Sequence, residues 1–121
     1  MRDDTRWRWF VSAQGNHVVE RELRELRLSA HEAGRLDAVM ARIDEDAVRH
    51  SDLDHLADGI WELRVRLDHR ILRLLYSHES HGTLLLALIV AVKKTQTTPR
   101  NWIATARSRR AEWRCMQPAK E

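Results

Sequence analysis

Ile60-Trp61-Glu62-Leu63-Arg64-Val65-Arg66-Leu67, then Asp68-His69, then Arg70 to Ser77, is the stretch that decides the fold. Trp61, Leu63, Val65 and Leu67 alternate with Glu62, Arg64 and Arg66, the period of a strand with one face against a core. Asp68-His69 is short enough to return the chain, so Arg70 to Ser77 reads as the partner strand. A two-residue turn pairs 67 with 70 and fixes every pair outward from there. Val65 then faces Leu72, Leu63 faces Leu74, and Trp61 faces Tyr76, all apolar or aromatic. On the other face the same register sets Arg64 directly opposite Arg73, with Arg66 two residues along.

Outward from this hairpin, Ser77 to Gly82 reads as a turn. Thr83 to Val92 is an uninterrupted apolar run, as expected of a central strand covered on both faces. It ends in Lys93-Lys94. Thr98-Pro99 is a helix start, with Thr98 as cap and Pro99 at the first helical position. In the helix that follows, Trp102, Ile103, Ala106 and Trp113 can face the sheet, with Arg100, Arg107, Arg110 and Arg114 on the other side. Upstream of the hairpin, Asp52 to Gly59 is polar and turn-prone. Ser29-Ala30-His31-Glu32 is a capping box that opens a helix over about residues 30–47, with Leu28 and Ala33 placed as a hydrophobic staple. Val18, Val19, Leu23 and Leu26 share one face of an earlier helix. Trp7-Arg8-Trp9-Phe10-Val11 reads as a first strand, ended by Gly15-Asn16. The order is strand, helix, helix, three antiparallel strands, helix. It predicts an α+β fold, a small antiparallel-rich sheet with two N-terminal helices and a C-terminal helix, in one domain over residues 1–116, with 117–121 as a flexible tail.

Bulk properties narrow the function classes. A hydrophobic content of 43% over 121 residues suits one globular domain and argues against disorder. No stretch has the roughly 20 apolar residues of a membrane helix. Met1-Arg2-Asp3-Asp4 leads into no apolar secretion segment, so a cytoplasmic location away from any membrane is expected. Cys115, the single cysteine, has no partner for a disulfide within the chain and no adjacent base to make it a nucleophile. No pair among the seven histidines has metal-ligand spacing with a third ligand evident, so no metal and no cofactor are expected. His55, His69, His78 and His81 fall in or near loops, where a histidine can carry protons or simply sit in water.

Charge is divided along the chain. Residues 1–59 carry a net −4 and residues 60–121 a net +7. Such a division suits either a polyanionic partner for the second half or an ordinary solvated surface. Like charges opposed across a sheet, as at Arg64 and Arg73, destabilise it by up to about 1 kcal/mol. Two arrangements relieve this. A phosphate can sit between the guanidinium groups, or Glu62 can bridge them as an ion-pair cluster. Lys93 and Lys94 end the central strand, one pointing to each face. Arg107, Arg109 and Arg110 of the last helix can follow a phosphate backbone or stay solvated.

These residues carry a resemblance. Asp58-Gly59-Ile60-Trp61-Glu62-Leu63-Arg64 with Arg70 to Tyr76 resembles the hairpin of RelE/ParE-superfamily toxins. Lys93-Lys94-Thr95-Gln96-Thr97-Thr98-Pro99 with Ile103-Ala104-Thr105-Ala106-Arg107-Ser108-Arg109 resembles the ending of the HigB-like, phage-associated branch. The likeness runs from about Gly15 to Trp113, and the lysine-to-proline segment is its most specific part. It implies a RelE-like fold and the toxin of a type II toxin–antitoxin module, a metal-independent endoribonuclease that cleaves messenger RNA, typically on the ribosome, and so blocks translation. By position, Arg64 and Arg73 would hold the scissile phosphate, and Lys93 or Lys94 would help activate the ribose 2′-hydroxyl. Arg66, Arg70, Arg107 and Arg110 are the further RNA contacts expected. The implied partners are a helix-turn-helix antitoxin, messenger RNA and the ribosome, and any oligomer would form through the antitoxin. The chain departs from the branch at Ile89 and Ala91, where relatives often carry histidine and an aromatic residue. A second reading is a non-enzymatic ParE-like toxin that inhibits a protein such as gyrase.

Overall fold

A computed structural model describes residues 5–46, 53–92 and 98–118. The described elements are β1 (Trp7–Trp9), α1 (Val18–Glu25), α2 (Ala30–Asp44), β2 (Leu53–Ala57), β3 (Ile60–Arg66), β4 (Ile71–Glu79), β5 (Leu84–Val92) and α3 (Arg100–Met116). They form an α+β fold around a five-stranded mixed sheet in the order β1-β5-β4-β3-β2. The β3–β4 hairpin has the register that the alternation requires, with Val65 paired to Leu72, Leu63 to Leu74, Trp61 to Tyr76 and Arg64 to Arg73. The turn closes through the Leu67 amide on the Arg70 carbonyl at 2.8 Å.

The sheet is wider than the sequence suggested. Leu53–Ala57, within the stretch expected to be a polar turn, is an antiparallel edge strand on β3. Edge strands tolerate polar residues such as Asp54 and His55 because one side meets water. The β2–β3 connection is Asp58-Gly59, with φ of 50° and 76°. This left-handed pair is the geometry that a two-residue Asp-Gly hairpin turn adopts. At the other edge, β1 pairs parallel with β5, which makes the sheet mixed. The β5 run is buried on both faces as expected. It carries a register shift opposite Leu75 and Tyr76 that leaves Leu88 as the extra residue.

Helix α2 covers the face that bears Trp7, Leu63, Val65 and Tyr76. Its capping box is complete, with the Glu32 amide donating to the Ser29 hydroxyl at 3.1 Å and the Ser29 amide donating to the Glu32 carboxylate at 3.0 Å. Leu36, Met40 and Ile43 point inward. The Trp7 indole N–H donates to the Met40 carbonyl at 2.8 Å, and the same indole meets the Tyr76 ring edge-on, centroids 5.1 Å apart. The helix ends at Asp44, with Glu45 as its C-cap and Asp46 left-handed at φ 57°, three residues before the expected end at Ala47, which itself lies outside the described residues.

Helix α3 covers the opposite face. Trp102, Ile103, Ala106 and Trp113 pack against the core as expected. Of the arginines assigned to its outer side, Arg100 is exposed, while Arg107, Arg110 and Arg114 reach back to the β2–β3 turn or to β4. Arg114 chelates Glu79 at 2.8 and 3.0 Å, and Arg110 donates to the Asp58 carbonyl. Long guanidinium side chains lie along the apolar surface and end on whatever buried acceptor lacks a partner. The helix also starts one residue later than expected. Pro99 is the capping residue, whose ring has no acceptor to offer the helix amides, and the Thr98 hydroxyl donates to Glu62 instead. Helix α1 closes the far edge of β5, where the Glu22 carboxylate accepts from the Val90 amide past the end of β1. Glu22 also takes the Arg109 guanidinium at 2.7 Å, while Arg109 donates to the Leu88 carbonyl at the bulge.

Candidate nucleic-acid interface

Because α3 covers the face that bears Arg64 and Arg73, the two opposed arginines have different surroundings. Arg73, in the fourth strand between two neighbours, is 2% exposed, and Arg64 lies near the free end of β3 with 30% of its side chain exposed. Glu62, one register step away and 1% exposed, lies between them. It accepts from Arg73 at 3.0 Å and approaches Arg64 at 3.7 Å. The Thr98 hydroxyl donates to its second oxygen. Of the two arrangements that relieve the opposed arginines, the bridging carboxylate is the one present.

Arg64 is held from behind by this buried pair and from the side by Asp54 of β2 at 3.0 Å. Asp54 is 57% exposed. An exposed carboxylate on a guanidinium contributes no more than about 1 kcal/mol, so an incoming phosphate oxyanion can take its place. The Asp54 carboxylate marks where such an oxygen would lie.

The described residues of β2 pair with β3 only as far as Leu53 against Leu63. Past that pair, the Arg35 guanidinium of α2 donates to the Arg66 carbonyl of β3 at 2.8 Å. An open groove of about 360 Å³ runs here, walled by Arg35, Ala38, Val39 and Arg42 on one side and by Arg64, Val65 and Arg66 on the other. Among the described residues four arginines line it, and no carboxylate does.

The other candidates read from the sequence scatter. Arg70 ties down the α1–α2 connection, donating to the Leu26 carbonyl at 2.9 Å and approaching Glu32 at 3.4 Å. Arg107 pairs with Asp58 at 2.8 Å, and Arg110 caps the same turn. At the rise of a strand, that turn is about 20 Å from Arg66, so these two arginines share no phosphate with the groove. Burial, then repulsion from nearby Arg114, pushes the Arg110 pKa down against the opposing pull of Glu79 and Asp58. Lys93 and Lys94 lie outside the described residues. Their described neighbours are Val92, paired with Leu72, and Thr98 on Glu62. Ile89 and Ala91 stand on the face of Arg73, with Ala91 its direct partner. His55 and His78 flank Trp61 on the other face, ring centroids 4.9 and 6.3 Å away, and His55 accepts from the Gly59 amide. Among the described residues, no group of three or more His, Cys, Asp or Glu is placed to hold a metal ion.

Three groups escaped the sequence reading: Asp54, Arg35 and Arg42. Asp54 followed from missing β2, although the Asp58-Gly59 dipeptide signals a hairpin. Arg35 and Arg42 are seven residues apart and so share a helix face, but they lie in the half of the chain whose net charge is negative.

The chain matches the family described as phage-derived protein Gp49-like (DUF891) over residues 21–111. No curated protein matches it. Among the described residues no helix is long and apolar enough to cross a membrane. The matched span runs from α1 through the hairpin to α3 and so contains every residue of the arginine groove. This chain belongs to the Gp49-like family of phage-derived proteins, a RelE-like toxin family.

Proposed function

We propose that this chain is the toxin of a type II toxin–antitoxin module, of the HigB-like branch of the RelE/ParE superfamily, and that it cleaves messenger RNA on the ribosome. The observation that carries the reading is Arg64, a guanidinium fixed by a buried ion pair and facing an exposed, replaceable carboxylate at the mouth of an arginine-lined groove.

The reaction is an internal transesterification. The ribose 2′-oxygen attacks the adjacent phosphorus as its proton passes to a base. The 5′-oxygen leaves and takes up a proton, giving a 2′,3′-cyclic phosphate and a 5′-hydroxyl end. Charge grows on the non-bridging oxygens in the transition state, and a preorganised cation there lowers the barrier without a metal ion. Arg64 takes that role, displacing Asp54. Arg73, assigned to the same phosphate by the resemblance, is better read as a positioning residue that acts through Glu62. Lys93 or Lys94 supplies the second cation, and with its pKa lowered it would serve in proton transfer. The expected partner is a helix-turn-helix antitoxin, and the site of action is the cytoplasm, where ribosomes are.

Primer extension on a defined messenger in a purified translation system, with and without ribosomes, tests this. New 5′ ends with the wild type, lost in Arg64→Ala, are expected. Intact messenger at high protein concentration overturns the nuclease reading and turns attention to a protein target.

A further inference from the structure

We propose that the α2 wall of the groove is a binding site for single-stranded RNA, with Arg35 and Arg42 holding backbone phosphates that flank the one on Arg64. The choice of RNA as occupant and the placement of the strand rest on the nuclease reading; the binding measurement below does not.

The geometry separates the cations along two rails. Arg35 and Arg42 are seven residues apart on α2, about 10 Å along the helix axis. Arg64 and Arg66 are two apart on β3, about 7 Å. Guanidinium groups spaced along two rails in this way can follow successive phosphates of an extended strand. Arg35, Arg42 and Arg66 are exposed. Arg35 has one described side-chain contact, through one of its nitrogens to the Arg66 carbonyl, which leaves further donors of its fork for a ligand. Between the rails lie Ala38, Val39 and Val65, small or apolar side chains against which a ribose or a base edge can rest.

The size of the site favours a single strand. About 360 Å³ is the scale of a small-ligand cleft, which admits a nucleotide or two at a time and no duplex. Among the described residues, no aromatic side chain lines the groove for stacking, and no side-chain acceptor reads bases. Recognition would therefore be of the backbone and nearly sequence-neutral. An acidic peptide is the competing occupant. Continuity with Arg64, where a phosphodiester must sit if it is to react, favours RNA.

The test is fluorescence anisotropy with a labelled, fully 2′-O-methylated RNA single strand, titrated across a series of salt concentrations. Such a strand lacks the reactive hydroxyl, so binding is read apart from cleavage. Arg35→Gln/Arg42→Gln is expected to weaken binding on the order of tenfold near physiological salt. It should flatten the salt slope by up to about 1.4, or about 0.7 per lost single-strand phosphate contact. Arg35→Lys/Arg42→Lys, which keeps both charges, should retain most of the slope, and far-UV circular dichroism confirms that each variant is folded. An unchanged slope in the glutamine variant overturns the proposal, as does failure of the wild type to bind the strand. A labelled poly-glutamate peptide of equal length is the second probe. If it binds more tightly than RNA and alone depends on Arg35 and Arg42, the groove is a protein-docking site and the proposal falls. Methylated RNA bound through Arg35 and Arg42, with no cleavage of ordinary messenger, would sink the nuclease reading and leave the site standing.

Discussion

Arg73→Met is the substitution that separates a structural guanidinium from a phosphate-binding one. In the native protein Arg73 and Glu62 are 2% and 1% exposed and joined at 3.0 Å. Methionine fills much of the same volume but leaves the Glu62 carboxylate under α3 with, among the described residues, the Thr98 hydroxyl and the more distant Arg64 to stabilise it. Removing one partner of a buried pair costs about 3–5 kcal/mol, because the remaining charge has lost both water and its counter-ion. Unfolding entropies scale with length, and for a chain of 121 residues each kcal/mol shifts the Tm by about 4 °C. The expected fall is therefore about 12–20 °C, with a matching drop in the urea midpoint and an unchanged m-value. Glu62→Gln/Arg73→Met removes both charges together and should recover most of the loss. Urea titrations followed by circular dichroism on Arg73→Met, Glu62→Gln and the double variant complete the cycle. A single variant within about 1 kcal/mol of wild type would refute the reasoning and return Arg73 to the phosphate site.

Three further outcomes follow from particular contacts. Ser29→Ala removes the hydroxyl that caps α2 and should cost about 1 kcal/mol, read as a Tm lower by about 4 °C. The Tyr76 phenol, the only one in the chain, is pushed up to about 12 by burial, against a small opposing pull from Arg6. Its raised folded pKa means that its contribution is whole below about pH 10 and lost as pH climbs towards 12, so phenolate absorbance should rise only with or after alkaline unfolding. At the acid end, burial opposes the charge on Asp44, but hydrogen bonds from the Arg6 amide and guanidinium outweigh it and hold the pKa below 3.8. The capping bond from the Ser29 amide lowers Glu32 from 4.5, with Arg70 assisting. Lowered carboxylates stabilise above their unfolded pKa and lose that contribution as pH falls through the folded one. The urea midpoint should therefore decline below about pH 4.5 and hold flat just above it.

The hairpin was legible because two constraints agreed, a period of two and a turn too short to slip. The burial of Arg73 was harder to read, because of the same alternation. Glu62, Arg64, Arg73 and Glu79 share one face, and a charged face opposite an apolar one ordinarily means water. Yet two signals pointed the other way. Strand β5 is apolar on both faces, and Trp102, Ile103 and Ala106 form a helix stripe that needs a surface. Together they require α3 to lie on the charged face, and any acid or base beneath it must be paired. The β5 bulge at Leu88 carries no glycine or proline to mark it. Its freed carbonyl is satisfied by Arg109, a residue 21 positions away that no local pattern connects to it.

The charge division along the chain has a different meaning once these pairs are known. Arg64 with Asp54, Arg70 with Glu32, Arg107 with Asp58 and Arg109 with Glu22 each join a cation of the second half to an acid of the first. Much of the asymmetry that suggested a polyanionic partner is thus used to hold the halves together. These pairs are not equivalent towards such a partner. Arg109 and Glu22 are mostly buried and bonded to backbone at the bulge and the strand edge, so a phosphate would have to break the sheet's closure to reach them. Arg64 and Asp54 are partly exposed, and an exposed ion pair contributes little to stability. Net charge by segment therefore does not map onto the charge that is left unpaired by acids of the other half. Among the described residues, one positive strip is the groove where Arg35 and Arg42, from the acidic half, meet Arg64 and Arg66.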